Sequence, residues 1–208
     1  MRYRLIIFDF DGTLADSRDW MRGVFNGVAR RYRFRTISEA EMEMLRGHDN
    51  RAILRYLGVP GWKLPFIANH MRRLMTDDLD RIALFPGVDG VLRRLSDAGV
   101  TLAIVSSNSE ENVRRILGPA NAAPIAHYAC GASLFGKAAK VRQVLKRSRI
   151  ASSETLCIGD EARDVEAAVA SKTASGAVTW GYATADLLKA QKPTLMFDAL
   201  DEIGALAI

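Results

Sequence analysis

Four short runs in this chain are apolar at nearly every position: the oily part of RLIIFDF at 4–10, VTLAIV at 100–105, TLCIG at 155–159 and GAVTW at 176–180. A strand with one wet face alternates apolar and polar residues, whereas a strand covered on both faces is oily throughout. Helical patterns lie between the runs. Residues 87–98 carry Val88, Val91, Leu92 and Leu95 and stop at Gly99. Residues 110–117 carry Val113, Ile116 and Leu117 and end at Gly118-Pro119; residues 137–147 carry Val141, Val144 and Leu145. Periodicity of this kind, closed by glycine or proline, is the signature of amphipathic helices. Strands alternating with such helices predict an α/β fold, an open parallel, Rossmann-like sheet flanked by helices.

One block breaks the alternation. From about Asp16 to Asp80 the pattern is helical and no strand is expected. Trp20, Met21, Val24, Phe25, Val28 and Tyr32 fall on one stripe, and Ser38-x-x-Glu41 reads as a capping box. Asp49 is placed to cap a helix that stops at Gly58, and Pro65 to open another carrying Phe66, Ile67, His70, Met71 and Leu74. The expected organisation is therefore an α/β core from 1–15 and 81–208, with an α-helical cap of about four helices inserted at 16–80. Phe85-Pro86-Gly87 marks the return to the core, and Trp20, Phe25, Met71 and Met75 are expected to form the core of the cap.

The first oily run ends in FDFDGTLADS, which sets Asp9 and Asp11 two residues apart. On an extended segment such side chains share a face. Two carboxylates that close resist joint ionisation unless a cation or a shared proton relieves them.

In open α/β sheets, ligands bind beyond the carboxyl ends of the strands. After TLAIV come Ser106, Ser107 and Asn108; after TLCI come Gly159, Asp160, Glu161 and Asp164; Lys137 precedes the 137–147 helical pattern. Several carboxylates, a hydroxyl and an ammonium thus converge on one rim. Mg²⁺ takes oxygen ligands, few of them from protein, and leaves room for water and substrate phosphate. Asp9 and Asp160 can supply carboxylates and the loop near Asp11 a carbonyl. One aspartate can then attack phosphorus, a second can move protons, and a hydroxyl and a lysine can hold phosphoryl oxygens.

Composition narrows the partners. Of 208 residues, 49% are hydrophobic and 25% charged, with a formal balance of +5. A mild positive excess suits a small anionic substrate. The run Arg30-Arg31-Tyr32-Arg33-Phe34-Arg35 is read as the solvated end of a helix, so no nucleic-acid partner is expected. No apolar run approaches a bilayer-spanning length, and the N-terminal stretch has no small-residue cleavage site, so neither a membrane partner nor a signal peptide is expected. The isolated Cys130 and Cys157 suggest neither disulfide nor zinc, and a cytoplasmic setting is expected.

DFDGTLADS, IVSSN, the downstream Lys137 and IGDEARD together resemble the four motifs of the haloacid dehalogenase superfamily, in order and across nearly the whole chain. The helical block resembles that superfamily's small α-helical cap, and the chain as a whole its phosphoglycolate phosphatase-like branch. The resemblance implies Asp9 as nucleophile, Asp11 as general acid/base, Ser106 as phosphoryl ligand and Lys137 as charge balance. Ser107 is the alternative hydroxyl, and Lys140 a weaker alternative lysine. Mg²⁺ would be held by Asp9, Asp11, Asp160 and Asp164. Ser107, Asn108 and, from a cap loop, Arg46, His48 and Arg51 are candidates for substrate binding. Ala138 after Lys137, and ASKTASG at 170–176, depart from the usual pattern.

The implied activity is Mg²⁺-dependent hydrolysis of a small phosphorylated metabolite, phosphoglycolate-like, by a monomer or homodimer. A sugar phosphomutase with the same intermediate is the alternative, as is a non-catalytic phosphate-binding or signalling module. Asp11 argues against a dehalogenase, because dehalogenases of the superfamily lack that second acid.

Overall fold

The computed structural model describes residues 3–131 and 136–207. In chain order the strands are β1 Leu5–Phe8, β2 Ala15–Asp16, β3 Ala83–Leu84, β4 Thr101–Val105, β5 Ile125–Ala129, β6 Thr155–Gly159, β7 Ala174–Val178 and β8 Leu195–Phe197. Six of them form one sheet in the order β5-β4-β1-β6-β7-β8, and each neighbouring pair is parallel. The helices α1 Arg18–Tyr32, α2 Glu39–Leu45, α3 Asn50–Leu57 and α4 Leu64–Asp77 lie between β2 and β3. The core adds α5 Val88–Asp97, α6 Glu110–Ala122, α7 Gly136–Ser148, α8 Ala162–Ala170, α9 Ala185–Ala190 and α10 Leu200–Gly204. No helix among the described residues is long and apolar enough to cross a membrane.

The continuous oily runs have the expected cause. Successive side chains of a strand point to opposite faces. Ile6, Phe8, Leu102, Ile104, Leu156 and Ile158 pack on one face with Val88, Val91, Leu92 and Leu95 of α5. Leu5, Ile7, Ala103, Val105 and Cys157 pack on the other, with Val141 and Val144 of α7 and Ala167 and Ala168 of α8. Both faces are covered, so neither set can be polar.

Four elements differ from expectation. β7 begins two residues before GAVTW, and Trp180 lies beyond it, where its Nε1 donates to the Thr13 carbonyl at 3.2 Å. β5 and β8 are edge strands that periodicity does not reveal; β5, with the sequence IAHYA, leaves Ala126 exposed. The helix from Glu110 breaks at Gly118, where φ is 69°, but resumes from Pro119 to Ala122. Proline lacks an N–H and is well suited to a first helical turn, so it restarts the helix here instead of ending it.

In the helical insert, Ser38 and Glu41 form the capping box, Asp49 accepts the Ala52 N–H at 2.7 Å, and α3 ends on a left-handed Gly58. Ile37, Leu45 and Leu57 form a small core with Phe25 packed against it. Trp20, Met71 and Met75, expected in that core, pack instead with the main cluster of the sheet domain. Met75 and Trp20 lie near the ends of the insert, which an antiparallel ribbon of β2 with β3 draws against the sheet (Ala15 opposite Leu84, Asp16 opposite Ala83).

Candidate active site

The chain leaves β1 and wraps at once. The Phe10 carbonyl accepts the N–H groups of Leu14 and Ala15, each at 2.9 Å, and Gly12 N–H donates to the Ala15 carbonyl at 2.8 Å. Gly12 sits at φ +82°, a left-handed conformation that glycine adopts freely. A Cβ at Gly12 would also run into the carboxylate of Asp160, as would one at Gly181. Two bare backbones thus flank that acid. Each of its oxygens accepts one hydrogen bond, Oδ1 from Thr13 Oγ1 and Oδ2 from Tyr182 N–H, both at 2.8 Å.

Asp9 follows β1, Asp160 follows β6, and Asp164 lies in the first turn of α8, where its Oδ2 accepts the Glu161 N–H at 2.9 Å. One oxygen from each of these three buried carboxylates lies within 4.8 Å of the others. Lys137, in the first turn of α7, reaches Asp9 Oδ1 at 2.6 Å and also pairs with Asp164 Oδ1. A cation at a helix N-terminus opposes the helix dipole; the two carboxylates offset that.

Burial pushes the Asp9 carboxyl up to about 7, with Lys137 pulling it down and Asp164 pushing it further up. Burial likewise raises Asp160 well above its ordinary value, reinforced by the charges of Glu161, Asp9 and Asp164. Burial works against the charge of Lys137, but the Asp164 and Asp9 carboxylates outweigh it and leave its pKa raised. When all are ionised, Asp9, Asp160, Asp164 and Glu161 outnumber the two cations among them, Lys137 and Arg163.

Asp11 stands apart from this trio. Its Oδ2 accepts from Asn108 Nδ2 at 3.3 Å, and its Oδ1 is buried with no hydrogen-bond partner among the described residues. Burial raises its carboxyl to about 6, against the pull of the neighbouring Ser17 hydroxyl and Asn108 amide. Ser106 is buried directly after β4, and its Oγ accepts the Asn108 N–H at 3.0 Å; Ser107 is exposed. Asn108 is locked among Asp11, Asn112 and the Ser109 N–H. These bonds hold the Asn108 amide against Asp11.

Of the three cap candidates, Arg46 alone reaches the sheet domain among the contacts of the described residues. Its Nε donates to the Tyr182 carbonyl at 2.9 Å and its Nη2 to the Gly181 carbonyl at 3.3 Å. His48 is exposed and bonded to the Met44 carbonyl, and Arg51 is exposed beside Asp49. Lys140, the weaker lysine candidate, donates to the carbonyls of Ser106, at 2.5 Å, and Gly131. Thr13 and Tyr182, which hold Asp160, were not singled out from the sequence. Thr13 lies inside the DFDGT stretch, but Tyr182 reaches Asp160 through a backbone N–H, which no residue type signals.

Parallel α/β topology, aspartates beyond β1 and β6, a lysine between them and a helical insert define the class. Residues 6–178 match the haloacid dehalogenase-like hydrolase family, and the chain belongs to that family. It is 31% identical over 199 residues to a phosphoglycolate phosphatase of Synechococcus elongatus, covering 95% of this chain and 94% of that one. It is 28% identical over 209 residues to the tyrosine-protein kinase PtkA of Mycobacterium tuberculosis, covering 96% of this chain and 71% of that one. A solved haloacid dehalogenase-like hydrolase from Streptococcus pneumoniae superposes with a TM-score of 0.81 at 18% identity, over 99% of this chain and 98% of that one.

Proposed function

We propose that this phosphatase hydrolyses a small phosphorylated metabolite through an aspartyl-phosphate on Asp9, with Mg²⁺ as its cofactor. The observation that carries the proposal is the bridge from Lys137 to Asp9 and Asp164 beside Asp160. It assembles a nucleophile, a cation and further acids at the rim where substrate would enter. A relative that matches nearly end to end is a phosphoglycolate phosphatase, which favours water over a protein hydroxyl as the final acceptor.

The carboxylate trio fits a hard divalent cation: its donors are oxygens, they are buried, and their mutual repulsion is only partly met by Lys137. Asp9, Asp160 and Asp164 would hold the ion. When bound, Mg²⁺ neutralises the charge that builds on the phosphoryl oxygens. Asp9 then attacks phosphorus; its new O–P bond forms as the ester O–P bond breaks. Asp11 gives its proton to the departing alcohol oxygen. Its carboxyl, raised to about 6, keeps a usable protonated fraction near neutrality. In the second half, Asp11 takes a proton from water as the water oxygen attacks phosphorus, and Asp9 is freed with inorganic phosphate. Ser106 and Lys137 hold the phosphoryl oxygens through both halves.

The test is phosphate release from phosphorylated metabolites, phosphoglycolate included, in Mg²⁺ and in EDTA, with Asp9→Asn alongside. Metal-dependent release that vanishes in a folded Asp9→Asn is expected. A phosphoryl mass on the Asp9 peptide after rapid acid quench is the second expected result. Release unaffected by Asp9→Asn would remove Asp9 from the chemistry.

A further inference from the structure

A cavity of about 170 Å³ lies where the cap meets the sheet domain. Its walls are mainly apolar: Met21 and Phe25 of α1, Ile37, Met42 and Leu45 at α2, and Ile53 of α3. Met21, Phe25, Met42 and Ile53 remain only half-buried. Its floor on the sheet-domain side includes Tyr182 and Glu161. Tyr182 donates its N–H to Asp160 and shares a hydrogen bond between its hydroxyl and Ser17 Oγ at 2.9 Å. Glu161 is the next residue after Asp160. Tyr182 thus borders both the cavity and the acid cluster and separates them by one side chain.

We propose that this cavity seats the leaving group of the substrate, and that this group carries an apolar body of about six carbons, because an apolar cavity of about 150 Å³ holds one benzene ring. The glycolate part of phosphoglycolate has two carbons, one of them a carboxylate, and would leave the apolar walls uncovered. Charge narrows the class further. Arg18, Arg22 and Arg46 line the same space together with Glu43 and Glu161, the latter paired with Arg163. Arg46 pairs with Glu43, Arg22 lies 4.0 Å from Asp19, and Arg18 has no carboxylate at ion-pair distance among the described residues. A neutral or anionic apolar body suits that lining, and a cationic one does not. The inference rests on the phosphatase reading given above.

The experiment is kcat/KM for ethyl, butyl, hexyl and cyclohexylmethyl phosphate, with phosphoglycolate and aminoethyl phosphate alongside. The alkyl alcohols leave with similar ease, so differences among them report binding. A fully buried methylene contributes about a fourfold gain. At least a tenfold rise from ethyl to the six- and seven-carbon esters is expected, with aminoethyl phosphate the poorest. Ile53→Trp fills the cavity from α3 and Met42→Trp from α2, so a fold defect in one leaves the other. Either variant, folded by circular dichroism, is expected to abolish the chain-length gain while retaining ethyl phosphate hydrolysis. Activity without chain-length dependence, a preference for phosphoglycolate, or a gain that survives both tryptophans would overturn the inference and leave the phosphatase standing. No metal-dependent hydrolysis of any ester would sink both.

Discussion

Asp9 and Asp11 stand two residues apart in the sequence, yet their surroundings differ in kind. Asp9 is paired with Lys137 and grouped with two other acids, whereas Asp11 faces Asn108 and keeps a buried oxygen without a partner. Once a divalent cation offsets the neighbouring charges, the first arrangement suits a group ionised to attack; the second suits a group that exchanges a proton. Asp11→Asn is expected to lower kcat by about 10²- to 10⁴-fold on alkyl phosphates. Its loss should be smaller in the single-turnover release of p-nitrophenol from p-nitrophenyl phosphate, whose leaving group needs no proton. Equal losses on both would argue against Asp11 as the acid. Gly181→Ala makes a separate point. The new methyl would collide with the Asp160 carboxylate, so that acid must move. The Mg²⁺ concentration for half-maximal activity is expected to rise about tenfold or more, measured by titrating metal against rate. Asp9, Asp11, Lys137 and Asp160 were readable in advance because each borders an oily run or opens a helix. Tyr182 was not, because a main-chain donor leaves no trace in composition.

Lys140 lies one turn along α7 from Lys137 and does a different job. Its ammonium joins the carbonyl of Ser106, beyond β4, to that of Gly131, beyond β5. It therefore fixes the loop that presents the Ser106 hydroxyl. Burial, together with the neighbouring Lys137 and Arg163 charges, pushes its pKa down to about 8 against an attraction to Cys130 and Asp9. Lys140→Met strands two carbonyls, and a loss of about 1–3 kcal/mol is expected in urea unfolding. A higher inhibition constant for inorganic phosphate should accompany it, and an unchanged one would leave Lys140 with a structural role alone. The strands that joined this network were not all foreseeable. Central strands are oily because helices cover both faces, and that is what periodicity detects. β5 and β8 stand at the sheet edges, where burial is less complete, and their residues carry no comparable signal. Gly118-Pro119 misled for a local reason: the pair that usually closes a helix here bends one and restarts it.

Across the whole molecule, the acids trade stability for function. Asp9 and Asp11 titrate near 7 and 6 in the fold but near the ordinary 3.8 in the unfolded chain. Between those values the folded state holds protons that the unfolded state has released, so stability falls as pH rises from about 4 to about 7. Mg²⁺ held by these acids would compete with protons for the ionised carboxylates and so restore what is lost. In thermal denaturation, the gain in Tm on adding Mg²⁺ is expected to be larger at about pH 8 than at about pH 5; an equal gain at both would place the ion away from these acids. The general outline of an α/β core with a helical insert was readable because it rests on long periodic segments. Which insert side chains serve the sheet domain was not, since Trp20 and Phe25 occupy the same stripe of α1 yet belong to different clusters.

The position of β1 in the sheet has a consequence for how the molecule comes into being. Leu5 is matched with Thr101 on one side and with Thr155 on the other. A growing polypeptide makes this strand before either neighbour, and all four helices of the insert emerge before β4 does. Pairings so distant along the chain are slow to form. The strand that precedes Asp9 therefore stays oily and unpaired until about half of the chain has been made. The sheet on both sides of β1 is complete only after β6, at Thr155–Gly159, has been made.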